Sequence, residues 1–309
     1  MTIEETVPAA AERTPATCFE YQRAESWADA VELLGLWDGE AKILAGGQSL
    51  VPMLNLRLAF PAALIDVNPI AARDPRVEGD HLVIDANTRH RVLTTSAAVR
   101  THAPLLAHAV QFVGNVRVRN RGTFGGSLAH ADPTAEIASI TLAMGGEITV
   151  LGPAGERSVA ADDFFVTYLT TAMDSGEVVT GVRLPLAGDA RWGFHEVVRR
   201  YSDFATVSVS VLAHPGDAGA PSPLRVVLGG VADRPVLVDQ HLLAPALSDP
   251  GHPDRIRESA EAIAASLDPD SDLHGSADYR RRLVAVHTRR LLEQVLGAGE
   301  AAESDGGTP

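Results

Sequence analysis

The sequence predicts an α+β protein of two domains. The first half alternates short strands with helices and carries two glycine pairs, Gly46-Gly47 and Gly125-Gly126. The second half is a series of Val-rich strands punctuated by Gly, Pro and Asp, the pattern of an antiparallel sheet. Two helices close the chain. Length agrees with this division, since 309 residues at roughly 100–200 per domain give about two domains.

The elements follow from local signals. Residues 1–17 are acidic and Ala/Pro-rich, lack the basic start and apolar run of a secretory signal, and are expected to be a disordered lead-in. Ser26 is an N-cap for a helix to Trp37, in which Trp27, Ala30, Val31 and Leu34 recur at helical spacing. A strand, Lys42–Ala45, runs into Gly46-Gly47. A helix over Leu50–Leu58 stops before Pro61, and Ala62–Val67 reads as a strand. Val77–Ala86 alternates around a turn at Gly79-Asp80. Thr95–Val113 is helical with an interruption at Pro104. Asn115–Arg121 reads as extended and leads into Gly125-Gly126, followed by a helix over Pro133–Met144. The first half therefore repeats one plan, extended segment, glycine pair and helix, with the pairs about eighty residues apart.

Beyond this point Glu147–Leu151, Glu177–Leu184, Phe194–Tyr201, Thr206–His214 and Leu224–Val231 read as strands of an antiparallel sheet, with a hairpin connection at Pro215–Pro223. Helices are expected over Asp254–Leu267 and Ala277–Leu296, the latter with an apolar face of Leu283, Val284, Leu291, Leu292 and Val295. The boundary between domains is expected near residue 188, giving domains over 18–188 and 189–297. Residues 298–309 are expected to be a disordered tail.

Composition removes several function classes. With 26 basic and 40 acidic residues, the net charge of −14 argues against nucleic-acid wrapping or an anionic membrane surface. No apolar run is long enough to span a bilayer, so a cytoplasmic protein is expected. The single cysteine, Cys18, excludes an intrachain disulfide, a four-thiolate zinc site and an iron–sulfur cluster ligated within this chain.

The glycine pairs are the candidate chemistry. Consecutive glycines after a strand let backbone N–H groups approach an anion, and a Ser hydroxyl and helix N-terminus at Gln48-Ser49-Leu50 add donors. One such turn alone fits a tight strand-to-helix connection that binds nothing equally well. The second segment, Arg119 to Glu136, adds Thr123 and Ser127 as hydroxyl donors and Glu136 as an acceptor for sugar hydroxyls. Two such loops can grip the phosphate spine of a dinucleotide from two sides. His130 and Asp132 read as local capping groups, and Arg119 and Arg121 as a solvated face. The chain lacks G-x-G-x-x-G, a Walker A lysine motif and G-x-S-x-G, which removes the main support for Rossmann, P-loop and α/β-hydrolase readings. The scattered histidines show no metal-site spacing, and no metal ligand is assigned.

At these two loops the sequence resembles the FAD-binding (medium) subunit of molybdenum hydroxylases, the carbon monoxide dehydrogenase and xanthine dehydrogenase group. Ala45-Gly46-Gly47-Gln48-Ser49-Leu50 followed by Leu54-Asn55-Leu56-Arg57-Leu58 is similar to the family's A-G-G-x-S-L loop and leucine-rich helix. Arg119 through Pro133 is similar to its R-N-x-G-T-x-G-G motif. Leu64-Ile65-Asp66-Val67, Asp163-Phe164-Phe165, Arg199-Arg200-Tyr201-Ser202-Asp203-Phe204-Ala205 and Tyr279-Arg280-Arg281-Arg282-Leu283 extend the likeness, which covers about Phe19 to Leu296. Departures are Asp85, where the family's I-G-A-x-T-T-H has glycine, and Arg117, where a glutamine is common. Gln48 stands where covalent flavoproteins carry histidine.

The resemblance implies a vanillyl-alcohol-oxidase (PCMH)-type FAD-binding domain of two α+β subdomains, then a C-terminal three-stranded sheet with helices. It implies non-covalent FAD, contacted by Ile43, Leu44, Ala45, Gly46, Gly47, Gln48, Ser49 and Leu50 and by Thr123, Phe124, Gly125, Gly126 and Ser127. Glu136 is implied at the sugar or ribityl region. Leu184, Arg200 and Thr206 are implied where the second domain approaches the flavin. No catalytic acid or base is implied. The role implied is electron transfer from two [2Fe–2S] clusters on a small partner, beside a large molybdopterin partner, to NAD+, oxygen, a quinone or another acceptor. Two rival readings stand beside it: a standalone FAD-dependent dehydrogenase or oxidase acting on a small molecule, and an assembly subunit that has lost its flavin.

Overall fold

The computed structural model describes residues 19–215 and 221–297. The chain opens with β1 (Glu20–Arg23), α1 (Trp27–Gly35), β2 (Ala41–Leu44), α2 (Leu50–Asn55) and β3 (Ala63–Asp66). The strands form a parallel sheet in the order β1-β3-β2, with α1 and α2 as the crossovers that parallel neighbours require. The Ser26 side chain accepts from the Asp29 N–H at 3.1 Å, and Ala30, Val31 and Leu34 are buried against the sheet. Every residue of β3 is buried.

Next come β4 (Arg76–Glu78), β5 (His81–Asp85), α3 (His90–Thr95), α4 (Ala97–His102), α5 (Pro104–Ala109), α6 (Val116–Arg121), α7 (Phe124–His130) and α8 (Glu136–Ala143). They are followed by β6 (Glu147–Gly152), β7 (Gly155–Ala160), α9 (Ala161–Phe164), β8 (Phe165–Thr167), β9 (Thr170–Thr171) and β10 (Val178–Pro185). A five-stranded antiparallel sheet has the order β4-β5-β10-β6-β7. β6 and β10, expected to belong with the later strands, are part of this earlier sheet. The long helix expected over Thr95–Val113 is broken up. Ser96 caps α4 through its hydroxyl, and Pro104 takes the first position of α5, where its missing N–H costs nothing.

The largest correction concerns Asn115–Arg121, read as extended and found as helix α6. Val116 and Val118 suggested a strand, but the Asn115 Oδ1 accepts from the N–H groups of Arg117 at 2.9 Å and Val118 at 3.2 Å and nucleates a helix. The second glycine pair therefore does not repeat the first plan. Thr123 caps α7, and Gly125 and Gly126 lie inside its first turn.

The C-terminal part contains β11 (Arg191–Val197), β12 (Val207–Pro215), β13 (Pro221–Gly229), β14 (Val236–Leu237), α10 (Gln240–Ser248), α11 (Pro253–Ala265) and α12 (Ala277–Leu296). Three long antiparallel strands and the two-residue β14 form one sheet, in the order β11-β12-β13-β14. β12 and β13 pair as expected; the connection over 216–220 lies outside the described residues, as do the lead-in and tail. Residues of β12 alternate between faces. Val207, Val209 and Val211 join the core formed with α11 and α12, whereas Leu212, like Phe194 and Val227, joins the core of the five-stranded sheet. Both faces are covered, so β12 is buried almost throughout. The helix α10 gave no sequence signal, because Pro245 stands inside it and only Leu243 and Ala246 are buried.

Arg280 on α12 is buried and fixes the end of this sheet. Its guanidinium donates to the carbonyls of Thr206 and Gly230 and forks onto Asp272 with two bonds of 2.8 Å. An Arg280→Met variant leaves the Thr206 and Gly230 carbonyls without this donor, and leaves Asp272 with only the N–H groups of His274 and Gly275. It is expected to lose about 2–3 kcal/mol in urea denaturation, with Asp272→Asn losing distinctly less.

Candidate cofactor site

The site forms at the C-terminal edge of the parallel sheet, where open α/β sheets place their ligands. The chain leaves β2 at Leu44 and turns through Ala45–Ser49 into α2. Gly46 is buried, and a Cβ there would lie 2.7 Å from the Gly122 Cα and closer still to the Arg121 carbonyl oxygen. The two loops thus meet main chain to main chain. Gly47 has φ +70°, a left-handed conformation that favours glycine, and the Gln48 Nε2 donates to the Gly46 carbonyl at 3.0 Å. The N–H groups of Gly46, Gly47, Gln48 and Ser49 meet no protein acceptor among the described residues. Gly46, Gly47 and Gln48 line a cleft of about 570 Å³ whose walls also include Tyr21, Val51, Asn55, Asp66, Asn68 and Arg121.

The second loop differs. Its amides are consumed internally: Phe124 donates to the Thr88 carbonyl, Gly125 to that of Ala86, both at 2.9 Å, and Gly126 to the Thr123 Oγ1 at 3.2 Å. His90 N–H donates to the Gly122 carbonyl at 3.0 Å, so residues 86–90 are zipped to 122–125. A Cβ on Gly125 would lie 2.5 Å from that of Ala86. Gly46 and Gly125 are therefore glycines because protein packs against them. Gly126 is different: it is exposed, and a Cβ there would crowd the capping Thr123 Oγ1 at 2.6 Å, a side chain rather than main chain, and reach Ala45 of the first loop at 3.7 Å. Gly126 and the half-buried Ser127 are the part of α7 that faces outward beside the first loop.

His90 is a buried packing residue. Burial lowers its pKa to about 4, so the neutral ring donates Nε2–H to the Thr123 carbonyl at 3.0 Å. Asp132 accepts from the Thr134 N–H and hydroxyl at 2.8 and 2.6 Å, a local turn. Asp85 accepts from the Arg73 N–H and from Arg76, both at 2.9 Å. Burial pushes its carboxyl up, but these bonds outweigh it and hold the carboxyl below the usual range. The charge that replaces the family's glycine thus anchors the 73–76 segment. Arg117 is exposed on α6.

Sequence reasoning did not weigh Tyr21, Asp66 or Asn68 as site residues. The Tyr21 hydroxyl donates to Asp66, and Asp66 accepts from the Asn68 N–H at 2.9 Å. The Asn68 amide in turn donates to the Ala45 carbonyl at 2.9 Å. An acidic residue ending a buried strand, with Asn two positions on, is the signal that could have found them.

The remaining expected contacts are dispersed. The side chains of Phe124 and Leu184 are sealed in the core, so any contact from Leu184 has to come from its main chain. Thr206 is buried with its carbonyl held by Arg280, and Arg200 is exposed in the β11–β12 connection. Glu136 opens α8, all of whose residues are buried, and does not line the cleft beside the first loop. Burial, with Asp132 adding repulsion, pushes its carboxyl up to about 7. Burial, with Glu136 adding repulsion, pushes Glu196 of β11 up to about 8. The Glu196 Oε2 and the hydroxyls of Ser139, Ser208 and Ser210 are buried without a hydrogen-bond partner among the described residues. A polar seam therefore runs between α8 and the C-terminal sheet.

Both carboxyls hold protons in the folded chain at pH values where the unfolded chain has released them. Stability contributed by the neutral pair is then lost as pH rises through the folded values. The buried His90 contributes with the opposite sign, so the difference carries the test: relative to the flavin-free wild type, Glu196→Gln is expected to gain melting temperature as pH rises from about 5 to about 8 in a thermal-shift series. An equal slope in both proteins would refute the assignment.

Comparison with known proteins shows the family. Residues 17–187 match the family model "FAD binding domain in molybdopterin dehydrogenase", and residues 192–295 match "CO dehydrogenase flavoprotein C-terminal domain". The carbon monoxide dehydrogenase medium chain of Hydrogenophaga pseudoflava is 35% identical over 279 residues, covering 89% of this chain and 96% of that one. The nicotine 6-hydroxylase medium subunit of Paenarthrobacter nicotinovorans is 36% identical over 276 residues, covering 88% and 95%. Among solved structures, carbon monoxide dehydrogenase from H. pseudoflava lacking the Mo-pyranopterin moiety matches with TM-score 0.85 and 34% identity, over 92% of this chain and 98% of that one. The chain is a member of the FAD-binding medium subunits of the molybdenum hydroxylases, the carbon monoxide dehydrogenase and xanthine dehydrogenase family.

Proposed function

We propose that this chain is the electron-transfer subunit of a molybdenum hydroxylase complex. A large partner carries molybdopterin and hydroxylates the substrate, and a small partner carries two [2Fe–2S] clusters. Electrons reach FAD on this chain and leave to NAD+, oxygen, a quinone or another carrier. The same reading takes the assembly to be cytoplasmic and puts the boundary between the FAD-binding and C-terminal domains near residue 188. The names of the relatives support it, and so does the single cysteine, which cannot ligate a cluster alone.

The observation that carries the reading is the row of N–H groups from Gly46 to Ser49 without a protein acceptor among the described residues, on a turn whose Gly46, Gly47 and Gln48 line a cleft near the exposed Gly126 of α7. Convergent backbone donors with no Cβ in the way suit a diphosphate. When bound, FAD supplies the redox chemistry; the residues here hold and orient it. Loop one supplies the donors. Ile43 and Leu44 wall the turn on one side and Leu50 on the other. Thr123 already accepts from the Gly126 N–H and retains its own proton to donate. Ser127 adds a second hydroxyl. Phe124 and Gly125 support the surface from behind.

Purification of the native assembly is the test: a large molybdopterin-containing chain and a small iron–sulfur chain are expected to accompany this one. Reduction of the flavin of the isolated chain by an organic substrate would establish the standalone oxidoreductase instead. The glycines separate folding from binding. Gly46→Ala drives two main chains apart and is expected to lower both melting temperature and flavin content. Gly126→Val, on the open surface, is expected to change stability by about 1 kcal/mol, the size of a disturbed N-cap, yet to lose most of its flavin. Full flavin content in Gly126→Val would show that α7 does not face the cofactor.

A further inference from the structure

Two guanidiniums lie close to each other at this end of the molecule, Arg121 in the wall of the cleft and Arg89 beside it. Arg89 is half-buried, and its guanidinium donates to two acceptors, the Arg121 carbonyl of the second loop and the Asn68 Oδ1 at 2.6 Å. Asn68 passes the connection on, its amide donating to the Ala45 carbonyl of the first loop at 2.9 Å. Arg89 therefore ties the two loops across the contact at Gly46. The nearby Asp66 is already engaged by Tyr21 and Asn68. Among the described residues neither Arg89 nor Arg121 forms an ion pair. Burial, and behind it the like charge of Arg121, push the Arg89 guanidinium below its ordinary pKa. Arg121 lines the cleft itself. In a chain of net charge −14, two adjacent guanidiniums whose mutual repulsion the Asp66 carboxylate offsets only in part at Arg89 favour an anion that joins them.

We propose that Arg89 is a positioning residue for the cofactor diphosphate, and that Arg89 and Arg121 together supply its counter-charge. The inference rests on the reading of the cleft as the FAD site. Loop one offers neutral N–H donors, which fix geometry; the two guanidiniums add a charge term that ionic strength screens. The similar family motif carries Thr where this chain has Arg89, so Arg89→Thr installs a residue that this backbone accommodates.

The test is binding of FAD, and separately of ADP, to the flavin-free chain over a range of salt concentrations. The wild-type chain is expected to bind both, with affinity falling as salt rises. Arg89→Thr is expected to bind both roughly tenfold more weakly, the loss of about one charge-assisted hydrogen bond, and with a shallower salt dependence. Arg89→Lys is expected to keep the salt dependence while still binding more weakly, since an ammonium does not span both acceptors. Arg121→Gln, on the exposed side, is expected to reduce the salt dependence without moving the melting temperature, and keeps the test open if Arg89→Thr folds poorly. Unchanged affinity and salt dependence in Arg89→Thr, or an unchanged salt dependence in a well-folded Arg121→Gln, would overturn the proposal. A wild-type chain that binds neither FAD nor ADP would overturn the parent reading first.

Discussion

The site depends on one close approach. Gly46 of the first loop lies against the main chain of Arg121-Gly122, with no room for a Cβ between them. This contact brings the end of a parallel sheet next to the start of a helix that belongs to an antiparallel one. Neither partner would hold the geometry alone. The first loop is a short turn with unsatisfied donors, and the second is rigid because residues 86–90 consume its amides. Joined, they set the N–H groups of a short turn against a wall held by internal hydrogen bonds.

The division of labour between the glycine pairs follows from where their hydrogen bonds go. In the first loop the N–H groups stay free, so the turn retains the capacity to hold an anion. In the second, Phe124, Gly125 and Gly126 are satisfied within the protein, and the surface that remains beside the first loop is the exposed Gly126 and the half-buried Ser127. A motif that looks twofold in sequence therefore leaves its N–H groups without protein acceptors in the first loop and uses them within the fold in the second.

Farther out, burial sets the chemistry of the groups. His90 is neutral because it is enclosed, and its one N–H holds the Thr123 carbonyl. Glu136 and Glu196 are raised because they share the seam between α8 and the C-terminal sheet. That seam couples the two halves of the chain, since Phe194, Leu212 and Val227 of the C-terminal sheet extend the core built on Phe124 and Leu128. Arg89 and Arg121 go the other way: they sit close together without an ion pair among the described residues, the Asp66 carboxylate offsetting only part of their repulsion.

Much of this was legible in the residues. The N-cap at Ser26, the turn at Gly79, the alternation of β12 and the full span of α12 follow from local periodicity and capping. Resemblance at the two loops pointed to FAD and to the family. Local signals failed where tertiary contacts decide. Asn115 capping turned an apparent strand into α6, and β6 and β10 joined the earlier sheet because antiparallel pairing with β5 and β7 covers them. Tyr21, Asp66, Asn68 and Arg89 are far apart in sequence, and no spacing rule links them; only the meeting of β1, β3 and the 86–90 segment makes them one network. Sequence determined which residues can bend, cap and alternate, because those properties belong to each residue and its near neighbours. The tertiary structure decided which N–H groups remain free and which charges remain unpaired, because satisfaction depends on whatever segment arrives from elsewhere in the chain.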